Sequence, residues 1–109
     1  MRKGRWDWDE CRKAIHRVDL LVQANRYVTT EKALQGMKDL GHDSSDIAEC
    51  LNPIDEAEVT AFEKDRDCDE KHVLIMKHRV DSDTVYVKVS LRLEKDYDLV
   101  VLSYHRPER

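Results

Sequence analysis

Val85-Tyr86-Val87-Lys88-Val89-Ser90-Leu91-Arg92-Leu93 alternates apolar and polar side chains without a break. Successive side chains of a strand point to opposite faces, so the run predicts a strand with one face toward a core and the other toward water. It is flanked by Asp81-Ser82-Asp83-Thr84 and Lys95-Asp96-Tyr97-Asp98. These segments are rich in residues whose side chains bond nearby backbone and favour chain reversal. Beyond them, residues 73–76 and 99–104 read as two more strands, giving an antiparallel meander.

Residues directly opposite in an antiparallel pair share a face. A four-residue turn at 81–84 sets Val80 opposite Val85, Arg79 opposite Tyr86 and Lys77 opposite Lys88. A loop at 95–98 sets Leu93 opposite Val100, Arg92 opposite Val101, Ser90 opposite Ser103 and Lys88 opposite His105. One face then gathers Lys77, Arg79, Tyr86, Lys88, Ser90, Ser103 and His105. The other gathers Met76, Val80, Val85, Val87, Val89, Leu91, Leu93, Val100, Leu102 and Tyr104, a core face. Because the period is two, a one-residue slip in the second hairpin would carry His105 to the core side.

Upstream, the spacing turns helical. Trp8, Cys11, Ile15, Val18, Leu21 and Val22 form the stripe of an amphipathic helix that Asp7 or Asp9 can cap. Residues 26–28 fit a short edge strand or a connector. Thr29 or Thr30 is placed to cap a helix over 31–40 that buries Ala33, Leu34, Met37 and Leu40, and Gly41 supplies its left-handed stop. A third helix is expected from a Ser44/Ser45 cap through Ile47, Cys50 and Leu51, ended by Asn52-Pro53, because the residue before proline is pushed out of helical geometry. Residues 56–64 suit a charged edge strand, and 64–71 a solvated loop. Helices first and an antiparallel sheet after predict an α+β domain, with the helices on one face of a C-terminal sheet.

The 109 residues fit one domain, 1–109, with residues 1–7 as a loose N-terminus. Hydrophobic content of 40% argues against disorder, while 39% charged residues makes the surface heavily ionic. The net charge of -4 hides an uneven distribution: +3 over residues 1–40, -8 over 41–72 and +1 over 73–109. No apolar run approaches the roughly 20 residues of a membrane span, and no secretory signal opens the chain, so a soluble cytoplasmic protein is expected. Three widely spaced cysteines fit reduced thiols better than a disulfide framework.

Cys68-x3-His72, with His78 beyond, lacks a second ligand pair at zinc spacing, so no metal site and no cofactor are expected. The three glycines, Gly4, Gly36 and Gly41, form no phosphate loop, which excludes nucleotide folds. The basic sheet face is what remains. Lys77, Arg79, Lys88 and His105 around Tyr86 offer cations for a phosphate, an imidazole for proton transfer and a hydroxyl. Such a set suits a scissile RNA phosphate attacked by its own 2'-hydroxyl. Cationic side chains also simply solvate open sheet faces.

Several stretches carry a resemblance: Leu21-Val22-Gln23-Ala24-Asn25, Val28-Thr29-Thr30 with Ala33-Leu34, Leu40-Gly41, Val85-Tyr86-Val87-Lys88-Val89 and Val101-Leu102-Ser103-Tyr104. In order and approximate spacing, over about residues 18–106, the chain resembles the MqsR family of bacterial toxins. Ser103-Tyr104-His105-Arg106-Pro107, with Leu40-Gly41-His42 and Asp46-Ile47, is also similar to a broader family of small domains allied to such toxins. The resemblance implies a RelE-like fold and the toxin of a type II toxin-antitoxin pair, a metal-independent endoribonuclease cleaving mRNA. It implies a cognate antitoxin as partner. It places the family's catalytic tyrosine on Tyr86, the lysine after it on Lys88, and a C-terminal lysine on His105. Two further polar positions of the family fall on Ala61 and Val73, where Lys64 or His72 substitutes only if loops shift. Tyr86, His105 and Arg79 are thus the expected catalytic groups, and Lys77, Lys88 and Lys64 the expected phosphate-binding ones. The alternative from a different class is a non-catalytic protein-binding module that uses acidic segment 49–70.

Overall fold

A computed structural model describes residues 6–107. Of residues 1–7, expected to be a loose N-terminus, residues 1–5 lie outside the described residues, whereas Asp7 is engaged as a helix cap. Helix α1 (Trp8–Gln23) starts at Asp7, whose carboxylate accepts from the amides of Asp9 and Glu10. Its buried stripe is Cys11, Ala14, Val18, Leu21 and Val22, with Ala14 rather than Ile15 at the centre. The chain then forms β1 (Val28–Thr29) and α2 (Glu31–Leu40). Thr30 caps α2 and Gly41 closes it at φ 72°, a left-handed conformation in which glycine carries no Cβ penalty. Ala33 and Met37 are buried as expected, but Leu34 is 42% exposed on the outer side.

Helix α3 (Ser44–Leu51) is capped not by Ser44 or Ser45 but by Asp43. Asp43 and Asp46 bond each other's backbone reciprocally, so two end amides are satisfied at once. A 3-10 turn (Glu56–Glu58) leads into β2 (Val59–Asp65), followed by β3 (Cys68–Val80), β4 (Asp83–Leu91) and β5 (Val100–His105). The domain is α+β, the described residues forming three α-helices and a five-stranded sheet in the order β1-β5-β4-β3-β2. The sheet is mixed rather than purely antiparallel, because β1 joins β5 in parallel at Val28–Val100 and Thr29–Val101.

The expected loop at 64–71 is instead a hairpin: β2 and β3 are separated only by Arg66 and Asp67, and β3 runs 13 residues. Charge did not forbid a strand here, since both faces of this hairpin end meet water. The turn between β3 and β4 is also tighter than expected. It contains Asp81 and Ser82 alone, with Asp81 at φ 55°, so Val80 pairs with Asp83, Arg79 with Thr84 and Lys77 with Tyr86. The register moved by two, which changes partners and preserves faces.

Between β4 and β5 the ladder is broken by a bulge. Lys88 pairs with Ser103 while Val89 pairs with Val101, leaving Leu102 as the extra residue. Val101 therefore enters the core and is fully buried, whereas Val100 and Leu102, expected inside, are only half-buried. Leu93 lies beyond the strand yet is still buried, as is Leu99, because the connection folds back over the core. His105 stays on the open face.

The core face carries Leu74, Met76, Val85, Val87, Val89 and Leu91, all fully buried beneath α1 and α3 with Ile47, Cys50 and Leu51. Each such side chain contributes about 1.5–3 kcal/mol on burial. Helix α2 packs along β5, where a Cβ on Gly36 would sit 1.8 Å from the Tyr104 carbonyl oxygen. Among the described residues no helix is long and apolar enough to cross a membrane.

Candidate functional site

The face of the sheet away from α1 and α3 is built in rows, because paired residues point the same way. One row runs Lys77, Tyr86, His105 across β3, β4 and β5. The next runs Ala61, Ile75, Lys88, Ser103 across β2 to β5. On the other flank, Arg79 pairs with Thr84. Five of the six expected residues thus share one surface; Lys77, Arg79 and Lys88 are exposed, and Tyr86 and His105 half-buried.

Within the central row the contacts are aromatic and cationic. The Tyr86 and His105 rings stack with centroids 6.2 Å apart and planes within 7°. The Lys77 ammonium lies 6.0 Å from the Tyr86 ring centroid, at the outer limit of a cation–π contact. His105 Nδ1 lies 2.7 Å from the carbonyl oxygen of Arg106. A carbonyl can only accept, so Nδ1 carries the proton and, in the neutral ring, Nε2 presents its lone pair.

Lys64, the sixth expected residue, is placed differently. It pairs with His72 on β3 and so takes the parity of the covered face, not that of Tyr86. Its exposed side chain borders two hollows at the sheet rim, one with His72, Glu10 and Arg92, the other with Val73, Lys88 and Leu102. His72 is buried and stacked on Phe62 at 5.0 Å, its Nδ1 without a partner, and so does not reach the central row. Ala61 and Val73 do lie on the open face, in the rows of Lys88 and Ser90. That end of the surface therefore lacks the expected polar groups at both positions, and beside Val73 it carries the exposed carboxylate of Glu63.

The acidic segment is largely engaged within the molecule. Glu56 holds Arg12 at 2.9 Å, Glu70 holds Arg92, and Glu58 and Glu49 flank His78 at 2.9 and 3.4 Å. Asp55 and Asp65 accept from the amides of Ala57 and Asp67.

Sequence reasoning missed a second polar group behind β5. His42, after α2, approaches the Tyr104 hydroxyl at 2.7 Å through Nδ1 and the Asp83 carboxylate at 3.2 Å through Nε2. The carboxylate accepts, so Nε2–H donates to it and the Tyr104 hydroxyl donates to Nδ1. Asp83 accepts in turn from Arg106 at 3.2 Å. The Arg106 guanidinium, with His42 adding to it, holds the Asp83 carboxyl below the usual carboxylate range against partial burial. Burial raises the Tyr104 hydroxyl, and it pushes the Cys50 thiol beside it up to about 12. No local motif marks this set, whose members come from three separate parts of the chain. The resemblance in Leu40-Gly41-His42 and Ser103-Tyr104-His105-Arg106-Pro107 touched three of its members, His42, Tyr104 and Arg106, without joining them.

The chain matches no protein-family model, and no curated protein matches it with significance.

Proposed function

We propose that the protein is a metal-independent endoribonuclease that cleaves mRNA, acting as the toxin of a type II toxin-antitoxin pair on a RelE/MqsR-like fold. The observation that carries this is the row Lys77–Tyr86–His105, a cation, a phenol and an imidazole whose Nε2 has no partner among the described residues, on an accessible sheet face.

RNA cleavage without an external nucleophile needs a base for the 2'-hydroxyl, charge for the phosphorane and an acid for the leaving 5'-oxygen. His105 Nε2 takes the 2'-hydroxyl proton. The 2'-oxygen then bonds to phosphorus as the bond to the 5'-oxygen breaks, and the Tyr86 hydroxyl protonates that oxygen. Lys77, Lys88 and Arg79 hold the phosphate and offset the charge that accumulates on it. Ala61 and Ile75, in the row of Lys88, offer no ligand of their own, which leaves these cations as the main phosphate ligands. A cognate antitoxin would silence the enzyme by covering this face or by binding elsewhere.

A protein-binding module using segment 49–70 has less support, because so many of its carboxylates already have partners within the chain. The test is expression of wild type beside Tyr86→Phe and His105→Ala, scored for growth arrest and for RNA cleavage in the presence of a chelator. Arrest and cleavage by wild type alone are expected. A wild-type protein that neither arrests growth nor cuts RNA, freed of any partner, overturns the assignment.

A further inference from the structure

We propose that Asp83 is a positioning residue for His105, acting through Arg106 to hold the imidazole in the tautomer that leaves Nε2 free. The role rests on the ribonuclease assignment above, but its geometry stands apart from it.

His105 is the last residue of β5, so nothing in the ladder beyond it restrains the chain. Its Nδ1 proton nevertheless finds a defined acceptor, the carbonyl oxygen of the very next residue, at 2.7 Å. Two features bear on the backbone at Arg106: Pro107, which narrows the conformations of the residue before it, and Asp83, whose Oδ1 accepts from the Arg106 guanidinium at 3.2 Å although that side chain is 65% exposed. The other Asp83 oxygen takes the His42 Nε2 proton at 3.2 Å, and His42 is itself fixed by the Tyr104 hydroxyl at 2.7 Å. The His42 side chain is 7% exposed and Tyr104 is 1% exposed, so the far end of this chain is anchored in the core. Asp83 also begins β4 and pairs with Val80, which fixes its backbone. A rigid carboxylate thus reaches from the core to the residue after the candidate base.

An imidazole whose orienting partner is lost populates both tautomers, and the one with Nε2 protonated has no lone pair to accept the 2'-hydroxyl proton. In a mixture only the competent fraction accepts that proton, so the rate falls with that fraction.

The experiment records the ring 15N and 13C shifts of His105, which report tautomer directly, in wild type, Asp83→Asn, Asp83→Glu and Arg106→Gln. Wild type is expected to show one neutral form protonated at Nδ1. Asp83→Asn and Arg106→Gln are expected to show a mixture, with Asp83→Glu restoring the single form. Arg106→Gln leaves the His42–Asp83 contact intact, so it answers the question even where Asp83→Asn fails to fold. On an RNA substrate Asp83→Asn and Arg106→Gln should lower kcat in step with the fraction of the ring still protonated at Nδ1, roughly 2- to 5-fold, with KM little changed. A His105 tautomer unchanged in Arg106→Gln overturns the proposal. If wild type cuts no RNA while the tautomer shifts as described, the ribonuclease assignment falls and the positioning role stands.

Discussion

The two faces of β4 are made by one alternating run, yet they answer to different constraints. On the covered side Val85, Val87, Val89 and Leu91 have no exposed surface at all. On the open side Tyr86 and Lys88, interleaved with them, reach solvent. Packing dictates size and shape on the first face, whereas water accepts almost any polar side chain on the second. The choice of tyrosine, lysine and histidine for one row of the open face is therefore chemical information that folding alone does not require.

The largest expected effect separates the faces by activity. His105→Ala should lower RNA cleavage by about 10²–10⁴-fold, the usual weight of a general acid or base, while leaving the denaturation midpoint unchanged. Loss of cleavage together with loss of stability would return His105 to a structural role. The converse holds across the sheet. Leu91→Ala should cost about 2–5 kcal/mol in a urea titration, and Lys88→Ala, three residues earlier, no more than about 0.5 kcal/mol. Equal costs at the two positions would break the distinction between the faces.

Much of this was legible from letters. The period of two placed Val85 to Leu91 inward and Tyr86 and Lys88 outward, and a register error of two residues did no harm because two is the period. What the alternation could not register was the bulge at Leu102, which exchanged the sides of Val100, Val101 and Leu102. At the bulge the Leu102 carbonyl accepts from the hydroxyl of Thr30, the residue after β1, at 3.0 Å. Contacts of that kind join residues 72 positions apart and leave no local pattern. The same reason hid His42, Asp83, Tyr104 and Arg106, whereas Tyr86, Lys88 and His105 could be gathered by pairing adjacent strands.

Two intermediate effects probe the edge where α2 meets β5. Gly36→Ala should cost about 1–3 kcal/mol, since the added carbon meets backbone that cannot rotate away. Thr30 both caps α2, accepting from the Ala33 amide at 3.1 Å, and holds Leu102. Thr30→Ala should accordingly cost about 1–2 kcal/mol, with Thr30→Ser recovering most of it. Recovery by serine distinguishes the hydrogen bonds from the packing of the methyl group.

The smallest effect lies on the covered side, where Cys11 and Cys50 are fully buried while Cys68 sits half-buried at the start of β3. Burial pushes the Cys11 thiol up to about 11 and the Cys50 thiol up to about 12. In the unfolded chain both ionise near the ordinary value of about 8.5. Above that pH the unfolded state loses protons that the folded state retains, so stability is complete below it and falls as pH rises toward 11. Cys50→Ala should flatten this alkaline decline, measured as urea midpoints between pH 8 and 10.5. At pH 8 a thiol reagent should label Cys68 at once and reach Cys11 and Cys50 only as fast as the domain opens. Rapid labelling of all three would mean that α1 and α3 do not seal the covered face.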